Sequence, residues 1–241
     1  MGADPLLRAV RRQLGLGRLL PLGAPADGAW LAESAARPVL RRAVAAVPGA
    51  RPEGLRLALA DPEAAPGPVV PPPPSGLPPG PLRIEAGFAA GVERPFPECA
   101  AEVRAALAAS AGERLGLVVA AIDLKVTGLL SGDGAGPTPD EDEGEEASGA
   151  AVAPDSGPAA VIAAAVLAAP GVRGLSGALG GRHRAVVVEE PEDAGQRPLI
   201  RLQLIADAEP RTLEVARNAA RAAVEAAGPA RVSVLITGIA G

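Results

Sequence analysis

The sequence contains very few of the side chains that most often carry chemistry or stack on ligands. Cys99 is the only cysteine, His183 is the only histidine, and Trp30, Phe88 and Phe96 are the only aromatic residues. One cysteine excludes a disulfide within the chain, and a single cysteine with a single histidine excludes a Cys/His zinc cluster. Three aromatic residues are too few for a surface that stacks single-stranded nucleic acid. We therefore expect no metal, no cofactor and no nucleic-acid partner.

Long apolar runs are also missing. No segment approaches the roughly 18 apolar residues of a membrane-spanning helix, and no apolar run near the N-terminus is long enough for a signal sequence. We therefore predict a cytoplasmic protein. The net charge of −5 is unevenly distributed, because residues 133 to 146 contribute −7 and the rest of the chain carries +2. A nearly neutral remainder does not favour a DNA-binding face.

Two low-complexity stretches divide the chain. Residues 62–81 are rich in proline, which lacks a backbone donor and favours extended, polyproline-like chain. Residues 131–157 combine glycine, proline and acidic residues with few apolar side chains. Such a composition cannot offset the entropy lost on ordering, so we predict a disordered acidic linker there.

An internal repeat flanks this linker. The matching pairs share order and similar spacing, and two of them, Pro81-Leu82 with Pro198-Leu199 and Arg104–Leu107 with Arg221–Val224, lie 117 residues apart. The other two pairs are Val44–Gly49 with Val166–Gly171, and Val126-Thr127-Gly128 with Ile236-Thr237-Gly238. The sequence therefore predicts two diverged copies of one small unit.

Both copies show the same order of periodic patterns. An alanine-rich helix ends at a Pro-Gly pair, a strand of period two follows, and then a helix with an apolar stripe and a last alternating strand. In copy one the predicted segments are helix 31–46, strand 82–88, a helix with the stripe Phe96, Cys99, Val103 and Leu107, and strand 122–126. In copy two they are helix 158–169, strands 172–179, 184–190 and 200–204, a helix with the stripe Leu213, Ala216, Ala220 and Val224, and strand 232–236. In copy one the proline stretch interrupts the region between the first helix and strand 82–88. The predicted fold is α/β (α+β), with two tandem two-layer units.

These boundaries give four segments. Residues 1–29 form an N-terminal basic amphipathic segment, and residues 30–130 form the first unit with its proline-rich insertion. Residues 131–157 form the acidic linker, and residues 158–241 form the second unit. Because each half is small and rich in alanine, we also predict that the two units pack against each other within the chain.

No motif predicts a catalytic residue. Ser176 lies in Gly174-Leu175-Ser176-Gly177-Ala178, which departs from the hydrolase pattern at its last position, and only His183 could act as its base. A turn of small residues is the favoured interpretation. Cys99 lies on the apolar stripe of its helix, which favours a buried thiol over a reactive one.

Two regions are candidate contact sites. Gly180 and Gly181 with Arg182 and Arg184 could hold a phosphate through backbone and guanidinium donors, although a hairpin connection is the better interpretation. In the N-terminal segment Arg8, Arg11 and Arg12 lie opposite an apolar helix face. This helix could contact an anionic membrane surface or a partner, or it could pack on its own domain.

With these patterns in place, the chain resembles the alkaline shock protein (general stress, Gls-type) family, in a tandem-duplicated actinomycete form. It is also similar to a group labelled nucleopolyhedrovirus p-ten family protein. The resemblance rests on residues 161–176, 214–224 and 232–236 in the second copy, and on residues 30–33, 44–49 and 81–128 in the first.

The resemblance implies a non-enzymatic scaffold in cell-envelope stress. Its partners would be related alkaline-shock-type proteins or a membrane-anchored protein. The alternative is a regulatory protein that binds a small ligand or phosphate at the Gly177 to Arg184 loop, and an enzyme built from Asp, Glu and Arg is the third hypothesis.

Overall fold

The computed structural model of the chain describes residues 15–130, 154, 156–179, 185–191 and 195–241. Within this part the chain has four α-helices and nine strands, and the strands form two mixed sheets. The predicted α/β class is therefore confirmed. The strands are β1 Leu19–Leu22, β2 Ala29–Ala32, β3 Ala50–Leu59, β4 Leu82–Gly91, β5 Val119–Leu130, β6 Val172–Leu175, β7 Val186–Glu189, β8 Leu199–Asp207 and β9 Arg231–Ala240. The helices are α1 Glu33–Ala45, α2 Phe96–Ala109, α3 Pro158–Leu167 and α4 Thr212–Ala227.

The two sheets repeat one arrangement. In the smaller sheet β4 lies between antiparallel β3 and parallel β5. In the larger sheet β8 lies between antiparallel β6 and β7 on one side and parallel β9 on the other. The larger sheet then continues from β9 to β2, which is parallel to it, and from β2 to antiparallel β1. Buried side chains of both copies belong to one contiguous apolar cluster.

The pairing registers of the two copies agree residue by residue. Phe88 pairs with Val126 just as Leu204 pairs with Ile236, and the next pairs, Ala89 with Gly128 and Ile205 with Gly238, skip one threonine in each copy. Phe88 and Leu204 are 116 residues apart. The spacing of 117 predicted from sequence is therefore wrong by one residue.

The one-residue error has a physical cause in the helices. The buried positions of α2 are Cys99, Val103 and Leu107, and those of α4 include Val215, Ala219 and Ala223. The predicted stripe of α4 is only partly correct, because Ala220 and Val224 are only partly buried. In an alanine-rich helix neighbouring positions carry similar side chains. The sequence therefore does not show which of two adjacent positions faces the core.

The first helix of each copy is shorter than predicted, since α1 ends at Ala45 rather than at residue 46 and α3 ends at Leu167 rather than at residue 169. The first helix begins at Glu33 rather than at residue 31, because Ala29–Ala32 pairs with β1 and β9 as a strand. Phe96, predicted on the apolar stripe of α2, is 41% exposed. It stands at the first position of the helix, beyond the reach of the core.

Three strands, β1, β2 and β3, are absent from the pattern that the sequence predicts. Strand β3 runs through Ala50–Leu59, before the proline stretch, and pairs with β4. Arginine and proline interrupt its period-two pattern, and a bulge between Pro52 and Leu55 shifts its register. The short strands β1 and β2 carry four consecutive buried residues each, a pattern that does not separate strand from helix.

The strands β6 and β7 are shorter than predicted and are not a hairpin. Both pair with β8, β6 along its C-terminal half and β7 along its N-terminal half, so they lie end to end on the same side. The predicted hairpin connection between them is therefore wrong. Both Leu179 and Ala185 are hydrogen bonded to Gln203 of β8, which fixes the two ends of the intervening loop.

The proline-rich stretch is anchored to the first strands. Leu77 N donates to Leu19 O at 2.9 Å, and Trp30 Nε1 donates to Leu77 O at 2.9 Å. Val70 is buried, and Ser75 has a positive φ of 66°. The prediction of uniformly extended chain is therefore wrong at Ser75, where the chain turns.

Candidate functional site: the outer edge of strand β5

The edges of the two sheets differ in how they are covered. At β1, the 76–77 segment forms a bridge and a hydrogen bond to Leu19. At β3, Arg18 Nη1 donates to Leu57 O at 2.6 Å and Arg41 Nη1 donates to Glu53 O at 3.1 Å. The edge formed by β6 and β7 is split into two strands of four residues. Short strands, and side chains bonded to edge carbonyl groups, disfavour pairing with another chain.

Strand β5 has a long open edge. It runs for 12 residues, and within the described ranges β4 is the only strand that pairs with it. It contains no proline. An edge of this length presents a row of backbone donors and acceptors that another strand can pair with.

The equivalent strand β9 shows what an occupied edge looks like. Its Val234 N donates to Gly28 O at 2.9 Å, and Ala29, Trp30 and Leu31 of β2 pair with Val234 and the two residues after it. The position of β5 that corresponds to Val234 is Leu124, because Ala86 pairs with Leu124 as Leu202 pairs with Val234. The amide of Leu124 therefore points away from β4, toward the open edge.

Side-chain burial differs between the two edges in the same way. On β9, the residues Val232, Val234 and Ile236 are 8%, 0% and 0% exposed. On β5 the matching Ile122 and Leu124 are half-buried, and Val126 is 38% exposed. Leu129, farther along β5, is 60% exposed. An apolar stripe that is covered in one copy is thus left partly open in the other.

The opposite face of β5 is charged. Asp123 and Lys125 are exposed and lie on either side of Leu124, whereas the matching residues of β9 are the buried Ser233 and Leu235. Arg83 Nη1 lies 3.1 Å from Asp123 Oδ2, and Glu85 pairs in register with Asp123. This open edge, with the Ile122–Val126 stripe on one face and the Asp123/Lys125 pair on the other, is the candidate functional site.

An ion pair holds the segment that covers β9. Arg217 of α4 donates from Nε to Asp27 Oδ1 at 2.9 Å and from Nη2 to Asp27 Oδ2 at 3.2 Å. Partial burial alone would raise the pKa of Asp27, but the hydrogen bonds from Arg217 and the Ala24 amide, together with the charge of Arg217, lower that pKa below its ordinary value. The pair fixes the turn before β2 against the second copy.

The structure does not describe the residues that the sequence predicts as contact sites. Arg8, Arg11 and Arg12 lie outside the described residues, and so do Gly180, Gly181, Arg182, His183 and Arg184. The contact roles given to them stay predictions.

Two candidate reactive side chains are buried. Ser176 is 0% exposed, and within the described residues its Oγ has no hydrogen-bond partner. A buried hydroxyl of this kind offers no access to a substrate. Cys99 is buried on α2, which confirms the prediction of an enclosed thiol.

A shallow groove between α3 and α4 has a volume of about 470 Å³. Alanine residues form most of its wall, together with Asn218, Arg221 and Glu225. Asn218 Nδ2 already donates to Pro170 O at 3.2 Å. Because one cation and one anion line the groove, it presents no charge of a single sign to an ionic ligand.

No family model, curated protein or solved structure matches the chain. The likeness to the alkaline shock protein family therefore stays a prediction from the residues quoted above. In the part of the chain that the structure describes, no helix is both long and apolar enough to cross a membrane.

The alternating pattern predicts strand 122–126 but does not show that its edge is open. A signal was present in the repeat itself, because Asp123 and Lys125 replace the Ser233 and Leu235 of the other copy. A pair of charges at positions that are apolar or small in the sister strand indicates that one strand is central and the other peripheral.

Proposed function

We propose that the chain is a non-enzymatic interaction protein that binds another polypeptide by strand addition along the outer edge of β5. The observation that carries the proposal is the contrast between β9, whose edge is covered by β2, and β5, whose equivalent edge within the described residues is open. Strand addition at an open edge gives affinity through backbone hydrogen bonds and specificity through alternate side chains.

The proposal places the protein in cell-envelope stress as a scaffold, and this assignment rests on the family resemblance alone. The proposed partners are related alkaline-shock-type proteins or a membrane-anchored protein. Pairing of the two units within the chain belongs to the same proposal, and the parallel ladder between β2 and β9 supports it.

Site-specific photo-crosslinking in the native host tests the proposal. A photoreactive residue replaces Thr127, which is exposed and unpaired at the bulge of β5, and the control replaces the exposed Arg104 of α2. We expect an adduct with an extended segment of a polypeptide from position 127 and none from position 104. Equal adducts at both positions, or none at 127, would refute strand addition.

Two variants at Leu124 show whether backbone pairing causes the adduct. Leu124→Pro removes an amide that points to the open edge, and proline is tolerated on edge strands where the missing donor faces solvent. Leu124→Ala keeps the amide and shortens the side chain. We expect the proline variant to lose the adduct and the alanine variant to retain most of it.

A further inference from the structure

We infer that the polypeptide that pairs with β5 is a second copy of the same chain, which adds its own β5 in antiparallel orientation about a twofold axis at Leu124. This inference rests on the proposed function, and it adds the identity and register of the partner. It follows from the order of charges and apolar residues along the strand.

The charges of β5 are complementary to themselves under twofold symmetry. In an antiparallel pair centred on Leu124, Asp123 of each copy lies opposite Lys125 of the other, which gives two opposite-charge pairs per dimer. Opposite charges across a strand pair are stabilising, and like charges there are destabilising. A parallel β5 pair in register would instead place each charge beside its own kind.

The backbone geometry favours the same centre. Because the amide of Leu124 points outward, the two Leu124 residues form a hydrogen-bonded pair. The Asp123 and Lys125 pairs then occupy the non-hydrogen-bonded positions, where side chains are closest. On the other face Ile122 lies opposite Val126 of the second copy, so the half-open apolar stripe is covered at both ends.

The lysine on the edge acquires a specific role in this arrangement. A charged residue, lysine above all, is a common way to prevent unwanted pairing at an edge strand. An incoming strand neutralises both charges only if it carries an acid opposite Lys125 and a base opposite Asp123. A second copy of β5 in the antiparallel register meets that requirement.

The pairing is limited in length by the structure. The bulge at Thr127 ends the regular part of β5, so the ladder spans residues 122–126 of each copy. So short a ladder buries much less surface than a stable dimer requires. We therefore expect a weak, concentration-dependent dimer whose association falls as salt is raised.

Charge reversal provides a crossed test by sedimentation of the full chain. Asp123→Lys makes both positions basic and removes the ion pair with Arg83, while Glu85, which pairs with position 123 on β4, gives the new lysine an acidic neighbour. Lys125→Asp makes both positions acidic. Each variant alone should lose self-association by about tenfold or more, and an equimolar mixture of the two should recover it as a heterodimer.

Arg104→Asp on α2 is the matched control, because it changes the net charge by the same amount as Lys125→Asp at an exposed site away from β5. It should associate as the unaltered chain does. Trp30 fluorescence and far-ultraviolet circular dichroism establish that every variant is folded.

Three outcomes would overturn the inference. These are an unaltered chain that stays monomeric up to about 1 mM, reversal variants that self-associate normally, and a mixture that associates no better than its components. A crosslink from position 127 to a different protein would overturn the homodimer and leave strand addition intact. A crosslink from position 127 to another part of the same chain would overturn both.

Discussion

Thr127 and Thr237 hold the same position in the two copies, each skipped by the ladder to the neighbouring parallel strand, but only Thr237 is buried. The Thr237 hydroxyl donates to Leu204 O at 3.3 Å inside the core. Thr127 lies exposed at the end of an open edge. The same local motif thus serves a central strand in one copy and a peripheral strand in the other.

The difference in burial predicts unequal costs for matched truncations. Ile236→Ala should lower the free energy of unfolding by about 2–5 kcal/mol, because it leaves a cavity under a fully buried side chain. Val126→Ala, at the equivalent position of β5, should cost less than about 1 kcal/mol. Chemical denaturation of both variants measures the two values. Equal losses would show that the edge of β5 is covered in the isolated chain.

Gly116 is predicted to be intolerant of any side chain. Its φ is +86°, and a Cβ added there would lie 2.4 Å from Leu213 Cβ. Gly228 has a similar φ of +84° but open space around the added atom. Gly228→Ala should therefore cost only backbone strain, about 1–3 kcal/mol, because φ +84° with ψ −169° is a conformation nearly restricted to glycine. Gly116→Ala should cost clearly more, and thermal melts of the two variants would contradict this if their midpoints were the same.

The Asp27–Arg217 pair predicts a small acid-dependent loss of stability. The pKa of Asp27 is lowered in the folded chain from an ordinary value of 3.8. Its contribution is therefore complete above that ordinary value and is lost as the pH falls through the lower, folded value. Because Arg217 is 42% exposed, the contribution should not exceed about 1 kcal/mol.

Denaturation from pH 7 down to pH 2 compares Asp27→Asn with the unaltered chain. The stabilities should differ at neutral pH and converge in acid. Adding Arg217→Ala to Asp27→Asn should cost only about 0.2–0.5 kcal/mol more, because the one ion pair still lost is the exposed contact of Arg217 with Glu214. Additive losses, or a difference that grows in acid, would contradict the role given to the pair.

Trp30 is predicted to report on the unfolding of both copies. It is 2% exposed, belongs to the strand that pairs with β9, and donates to Leu77 O. Its fluorescence should be blue-shifted in the folded chain and should change in one transition that coincides with the loss of circular dichroism. Trp30→Phe should lower the free energy of unfolding by about 1–3 kcal/mol, since a partly buried carbonyl loses its donor. Separate transitions for the two signals would show that the copies unfold independently.

Much of the fold could be predicted from the sequence because its signals are local. The Pro-Gly pairs at residues 48–49 and 170–171 end the first helix of each copy, and the alternation from Leu82 to Phe88 marks β4. The matching Val-Thr-Gly and Ile-Thr-Gly motifs mark equivalent positions of the two copies, although only the structure shows a bulge at each threonine. These features depend on backbone sterics and on the period of side chains along one segment.

The candidate site could not be predicted in this way. Whether β5 or β9 is central depends on β2, a four-residue strand at the other end of the chain that pairs with β9 and leaves β5 free. The four buried residues of β2 carry no periodic pattern that names their partner. The spacing of 117 residues that the sequence predicts between the two copies also differs by one residue from the spacing given by the paired strands.

The sequence by itself determined the unit and its duplication, because Pro-Gly pairs, strand alternation and the apolar stripes of helices act within a few positions of one another. Only the tertiary structure decided which of two equivalent strands keeps an open edge. That choice depends on contacts between segments far apart in sequence. Nearly every residue offers the same backbone hydrogen-bonding groups, so side-chain packing selects which strands pair.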